Sequence, residues 1–208
     1  MESPLCPPGT RLIETMLWDG AAFPRLSLHM ARLARSARAL GFLHDPRAVQ
    51  AALTAVAPPG APARIRLTLG QPGDTEATAA PLPPAVPVWR LSLAPDRLSS
   101  ADPFLAHKTT RRALYDRTRA ALPAGADEAI FLNERGEVCE GTIANVFFDD
   151  GHGLMTPPLS CGCLPGVLRA ELIASGRCRE AVLTETALPR VRLCAGNALR
   201  GLIPARLA

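Results

Sequence analysis

The chain has 208 residues, 48% of them hydrophobic and 20% charged, so it can bury one core or two small ones and is too apolar for a disordered segment. A formal charge of +4, no run of five basic residues and only one Tyr beside six Phe and two Trp argue against a nucleic-acid surface and fit small anionic ligands. No apolar stretch is long enough to cross a membrane, and "MESPLCPPGT" carries no signal-peptide pattern, so a cytoplasmic protein is expected.

In chain order, "RLIETMLWDG" reads as a strand entering a turn. "LSLHMARLARSARALGF" predicts a helix with Met30, Leu33, Ala37 and Leu40 on its apolar face. Arg32, Arg35 and Arg38 lie away from that face, and Gly41 is the C-cap. A second helix is predicted over 46–56, ended by "APPGAP". "ARIRLTLG" alternates as a strand, with Ile65, Leu67 and Leu69 on one side and Arg64, Arg66 and Thr68 on the other. "QPGDTEATAAPLPP" reads as a long polar loop and "VPVWRLSLA" as a strand. "PDRLSSADP" has linker composition, giving a small domain over 1–95, a linker over 96–103 and a larger domain over 104–208.

Beyond the linker, "TRRALYDRTRAAL" reads as a helix. "EAIFLNERGEVCEGTIANVFFDDGHGLMTPP" reads as three strands joined by two tight turns, with Glu140 and Thr142 on one strand face. "LPGVLRAELIAS" reads as a helix begun by Pro165 and Gly166, "EAVLTE" as a strand, and "RLCAGNALRGLIP" as a strand or loop. Helices and strands mixed in both halves, with antiparallel hairpins in the second, make the fold α+β. Six scattered cysteines, with Cys161 and Cys163 the one close pair and no His at ligand spacing, predict reduced thiols and no metal site.

Lys108, in "AHKTTRR", is the only lysine; the other 22 basic positions are Arg. Lysine can lose its charge when desolvated and attack a carbonyl, which arginine cannot do. Four features accompany it. Glu140 follows a tight turn on a predicted strand. Gly166 opens a helix whose free N–H groups and positive dipole end suit a phosphate. "GNALRG" at 196–201 permits close backbone approach. Arg32 can clamp an anion. An aldehyde for the lysine, a phosphate for the turns and the arginine, and a ring nitrogen for the carboxylate together describe pyridoxal 5'-phosphate.

"HMARL", "HK", "EVCEGTIANVFF", "CGCLPGVLR" and "GNALRGLIP", in that order from about Leu12 to Ala205, resemble the fold-type IV (class IV) pyridoxal-phosphate enzymes. These are branched-chain and D-amino-acid aminotransferases and 4-amino-4-deoxychorismate lyase. The resemblance implies a two-domain D-amino-acid aminotransferase-like fold and a homodimer. It implies that Lys108 forms the Schiff base and that Glu140 pairs with the pyridine nitrogen, making the ring an electron sink. Arg32 would hold the phosphate, with backbone N–H groups of Val167 and Leu168 after Gly166, and Asn197 and Ala198 would supply a second phosphate turn. Thr142 and Asn145 fall where the family places small polar residues beside the cofactor. Arg64, Arg66, Arg112 and Tyr115 would face the substrate.

"HKTTRRALYD" is most similar to lyase modules fused behind aminodeoxychorismate synthase. That implies conversion of 4-amino-4-deoxychorismate to 4-aminobenzoate and pyruvate, with a functional link to the synthase. The alternatives are a class IV aminotransferase acting on branched-chain or D-amino acids, and a non-catalytic binding protein of the same fold. The sequence departs from the family pattern at three points. Relatives carry roughly two dozen further N-terminal residues. Leu168 and Ala198 offer backbone where relatives often use a hydroxyl. Arg111 replaces the Asn that often follows the lysine by three positions.

Overall fold

The computed structural model describes residues 6–208. They form two compact units, one of residues up to 84 together with 107–111, the other of 85–106 with 112–208.

The first unit is a three-stranded antiparallel sheet covered on one face by two helices. Its strands are β1 (Arg11–Trp18), β2 (Ala63–Gly70) and β3 (Thr75–Ala80), in the order β1-β2-β3. Register pairs Leu12 with Leu69, Glu14 with Leu67 and Met16 with Ile65, so these six side chains share one face. Onto that face pack α1 (Leu26–Leu40), over β1, and α2 (Pro46–Val56), over β2 and β3. Leu33, Ala37, Leu40, Val49 and Leu53 complete the buried layer. Gly41 ends α1 in the left-handed conformation, and Asp45 caps α2 by accepting from the Arg47 N–H at 2.8 Å.

The second unit is a mixed sheet. Its elements are β4 (Trp89–Leu98), α3 (Ala113–Ala120), β5 (Glu128–Asn133), β6 (Val138–Gly141), β7 (Asn145–Asp149), β8 (Met155–Thr156), α4 (Val167–Ala174), β9 (Arg179–Glu180), β10 (Arg192–Asn197) and β11 (Gly201–Leu207). The strand order is β10-β11-β4-β5-β6-β7-β8-β9, and a further pairing of β10 with β7 closes six strands into a ring. Trp89, Leu91, Ile130, Val138, Val146, Phe148, Leu193 and Ile203 pack together as its main core. α4 buries Leu168 and Leu172 against Phe147.

Several expectations change. "TEATAA", read as loop, is the edge strand β3. The expected linker over 96–103 begins inside β4, whose Arg97 and Leu98 pair with Leu132 and Asn133. The second unit starts at residue 85, and residues 107–111, which carry Lys108, belong to the first unit rather than to the larger one. The expected continuous strand through "VCEGTIANVFFDD" is a hairpin, β6 and β7, turning at Thr142–Ala144. Thr142 is therefore in the turn and does not share a strand face with Glu140. Of "EAVLTE" only Glu180 lies in a strand, as the second residue of β9, and Thr184 makes a lone bridge to Glu137. All six cysteines are unpaired.

Candidate active site

In the first unit, Lys108 is fixed by its backbone. Ile13 N–H donates to the Lys108 carbonyl at 2.8 Å, Thr110 N–H to the Arg11 carbonyl at 2.9 Å, and Leu12 bridges Thr109 antiparallel. Residues 108–110 thus extend the sheet beyond β1, with Lys108 opposite Ile13. Directly paired residues share a face, and the β1–β2 register sets Ile13 beside Thr68, Thr15 beside Arg66 and Leu17 beside Arg64. Lys108, Arg64 and Arg66 therefore hold register positions on the same sheet face, away from the helices. The neighbouring His107 places Nδ1 3.0 Å from Ser36 Oγ; burial, then the charge of Arg35, lowers its pKa.

Arg32 is not on an outer face of α1. It is 5% exposed and belongs to the packed face with His29, Leu33 and Ser36. Its guanidinium meets Glu14 in a fork, Nε to Oε1 at 2.9 Å and Nη2 to Oε2 at 2.5 Å, and His29 Nδ1 lies 2.6 Å from the same carboxylate. Burial alone would raise the Glu14 carboxyl, but Arg32 and then His29 outweigh it and hold the pKa below its ordinary value. Sequence reading missed Glu14. Its signal was a lone acid on the apolar side of "RLIETM", which demands a buried partner.

In the second unit, Glu140 on β6 is buried, and Tyr115 OH donates to its Oε1 at 2.7 Å. Leu164 N–H donates to Oε2 at 3.1 Å, while Asn145, paired with Glu140 across the hairpin, donates from Nδ2 to the Leu164 carbonyl at 2.9 Å. The two side chains thus hold both polar groups of Leu164 and fix the entry to α4. A Cβ on Gly166 would lie 1.8 Å from Asn145 Oδ1, so only glycine lets this helix start pass. Among the described residues no side chain caps α4, and its first-turn N–H groups, including those of Val167 and Leu168, have no acceptor within the helix.

Three expected site residues have structural duties. The Thr142 hydroxyl donates to Glu128 Oε1 and lies 3.2 Å from Arg119 Nη1, which donates to it. Glu128, fully buried, also accepts N–H groups of Ala129, Thr142 and Ile143 at 3.0–3.1 Å. It anchors the β6–β7 turn and was not singled out from the sequence. Its pKa is raised because burial outweighs these hydrogen bonds and the charge of Arg119. Asn197 accepts from Leu199 and Arg200 N–H and donates to the Ile143 carbonyl at 3.1 Å, closing the β10–β11 turn beside Ala198. The close approach expected at "GNALRG" is to the chain itself, since a Cβ on Gly196 would meet the Gly201 carbonyl at 2.7 Å and Leu168 at 2.9 Å. Arg112 bonds Asp116 at 2.7 Å and the Thr142 carbonyl at 3.1 Å. Among the described residues no group of acids, histidines or cysteines is arranged to hold a metal, and no helix is long and apolar enough to cross a membrane.

The family model for amino-transferase class IV matches residues 11–208. The chain belongs to this family. Within the class IV family it is 30% identical, over 82% of its length and 76% of the relative's, to a Schizosaccharomyces pombe protein provisionally named an aminodeoxychorismate lyase. A solved Mesorhizobium loti structure, provisionally described as an amino-acid aminotransferase, is 48% identical with a TM-score of 0.92, covering 96% of this chain and 100% of that one. The 4-amino-4-deoxychorismate lyase of Pseudomonas aeruginosa shares the fold at a TM-score of 0.82 and 22% identity, over 95% of this chain and 82% of its own. The expected two-domain aminotransferase-like fold is the one these structures have, and the chain is an enzyme of that family.

Proposed function

We propose that this enzyme binds pyridoxal 5'-phosphate and converts 4-amino-4-deoxychorismate to 4-aminobenzoate and pyruvate. The residues fit the cofactor. The chain's single lysine is held by backbone pairing on a polar sheet face, Glu140 is a buried carboxylate whose orientation is fixed, and the uncapped start of α4 offers N–H groups to an anion. When bound, the cofactor supplies an aldehyde for an amine and a ring that takes up electrons.

The Lys108 amine would hold the cofactor by its aldehyde, and as a free amine it would take the proton from the amine-bearing carbon of the substrate. Glu140 accepts from the ring nitrogen. Val167 and Leu168 N–H groups would hold the phosphate. Arg64 and Arg66 receive the two substrate carboxylates, and Arg112, tied to the hairpin turn, adds positive charge. The single observation carrying the dicarboxylate reading is that both arginines hold register positions on the face of Lys108. A cytoplasmic homodimer that works with a synthase subunit belongs to the same proposal.

The second reading is aminotransfer, which the 48% identical Mesorhizobium loti relative favours by its description. Incubation of cofactor-loaded enzyme with 4-amino-4-deoxychorismate decides between them. Pyruvate and 4-aminobenzoate forming without a keto-acid acceptor support the lyase. Turnover that appears only when an acceptor is added replaces it with the aminotransferase.

A further inference from the structure

We infer that Tyr115 is a positioning residue for the cofactor rather than a substrate contact: its hydroxyl fixes Glu140 as the partner of the ring nitrogen. The inference rests on the proposed role of Glu140. Tyr115 sits on α3, and its ring packs edge-on against Phe131 at 5.0 Å, among Leu98, Phe131 and Cys139. That leaves the hydroxyl as its polar end, and it donates to Glu140 Oε1 at 2.7 Å. Leu164 N–H takes the other oxygen, so two donors from two different segments define the carboxylate plane. A carboxylate has about four acceptor positions, and these two bonds fix the orientation of the group. The guanidinium of Arg112 lies 5.8 Å from the Tyr115 ring centre, where its charge makes the phenol a better donor. Burial, then the Glu140 charge, raises the Tyr115 pKa, so the phenol keeps the proton it donates.

The chemistry selects one probe pair: pyridoxal 5'-phosphate and the analogue in which carbon replaces the ring nitrogen. Only the first has the atom that Glu140 meets. Binding of both is measured for the wild type, Tyr115→Phe and Glu140→Gln. Tyr115→Phe keeps the ring on Phe131 and removes the donor. Its affinity for the nitrogen cofactor should fall about tenfold, the size of one hydrogen bond to a charged group, with affinity for the carbon analogue unchanged. Equal weakening of both probes, or of neither, overturns the inference and leaves Tyr115 a packing residue. If Glu140→Gln fails to discriminate between the probes, the ring-nitrogen role itself falls, and this inference with it.

A second measurement needs no substitution. Tyr115 is the only tyrosine in the chain, so biosynthetic 3-fluorotyrosine labels it alone. Its fluorine resonance should move when the nitrogen cofactor binds and move much less with the carbon analogue. The same displacement with both probes contradicts the coupling.

Discussion

Among the described residues each unit buries one glutamate completely, and the two are kept in opposite ways. Glu14, in the first unit, is compensated by charge, with a forked Arg32 and His29 against the same carboxylate. Glu128, in the second, is compensated by dipoles: three backbone N–H groups and a hydroxyl. Its one cation, Arg119, stands 3.4 Å away with 39% of its side chain exposed. Both carboxylates have an ordinary value of 4.5; the first falls below it and the second rises above it. Burial raises both. A close, buried guanidinium reverses that effect, and a set of neutral donors with a half-exposed one does not.

The largest effect should come from breaking the charged set. Glu14→Ala leaves Arg32 and His29 buried without their anion and should cost about 3–5 kcal/mol in urea unfolding. A loss under about 1 kcal/mol would mean that water already reaches the set.

The next test is a sign. Because its folded pKa is depressed, Glu14 contributes stability above pH 4.5 that is lost as pH falls through the depressed value. Glu128, with a raised folded pKa, contributes stability below pH 4.5 that is lost as pH climbs through the raised value. Glu128→Gln should therefore cost about 1–3 kcal/mol near pH 4 and less near pH 7. A cost that grows with pH would make Glu128 a second charge-paired acid and end the contrast. The smallest effect is expected of Arg119→Met, whose half-exposed partnership should be worth under about 1 kcal/mol in the same assay.

The same contrast explains what could be read from sequence. β2 was legible because Ile65, Leu67 and Leu69 alternate with Arg64, Arg66 and Thr68, and all three apolar residues are buried. β3 was not, because an edge strand of Thr, Glu and Ala buries little and carries no hydrophobic signal. The β6–β7 turn was missed because Thr142–Ile143–Ala144 lacks turn residues; Glu128, 14 residues before Thr142, supplies the acceptors that make it turn. Arg32 was expected on an outer face because arginine is usually solvated. Its burial depends on Glu14, a strand away, which helical periodicity cannot reveal. Lys108 and Glu140 stood out through residue type and motif order. The bond from Tyr115 to Glu140 joins α3 to β6 and is a fact of tertiary structure alone.

The proposed site stands or falls on Lys108 as the anchor of the cofactor. Lys108 is the only lysine, so the one other primary amine expected on the unmodified chain is its N-terminus. Borohydride reduction of the enzyme loaded with pyridoxal 5'-phosphate, followed by peptide mass spectrometry, should place the whole label on the peptide containing Lys108 and none on Lys108→Ala. Label confined to the N-terminal peptide, or equal label in the variant, would contradict the account.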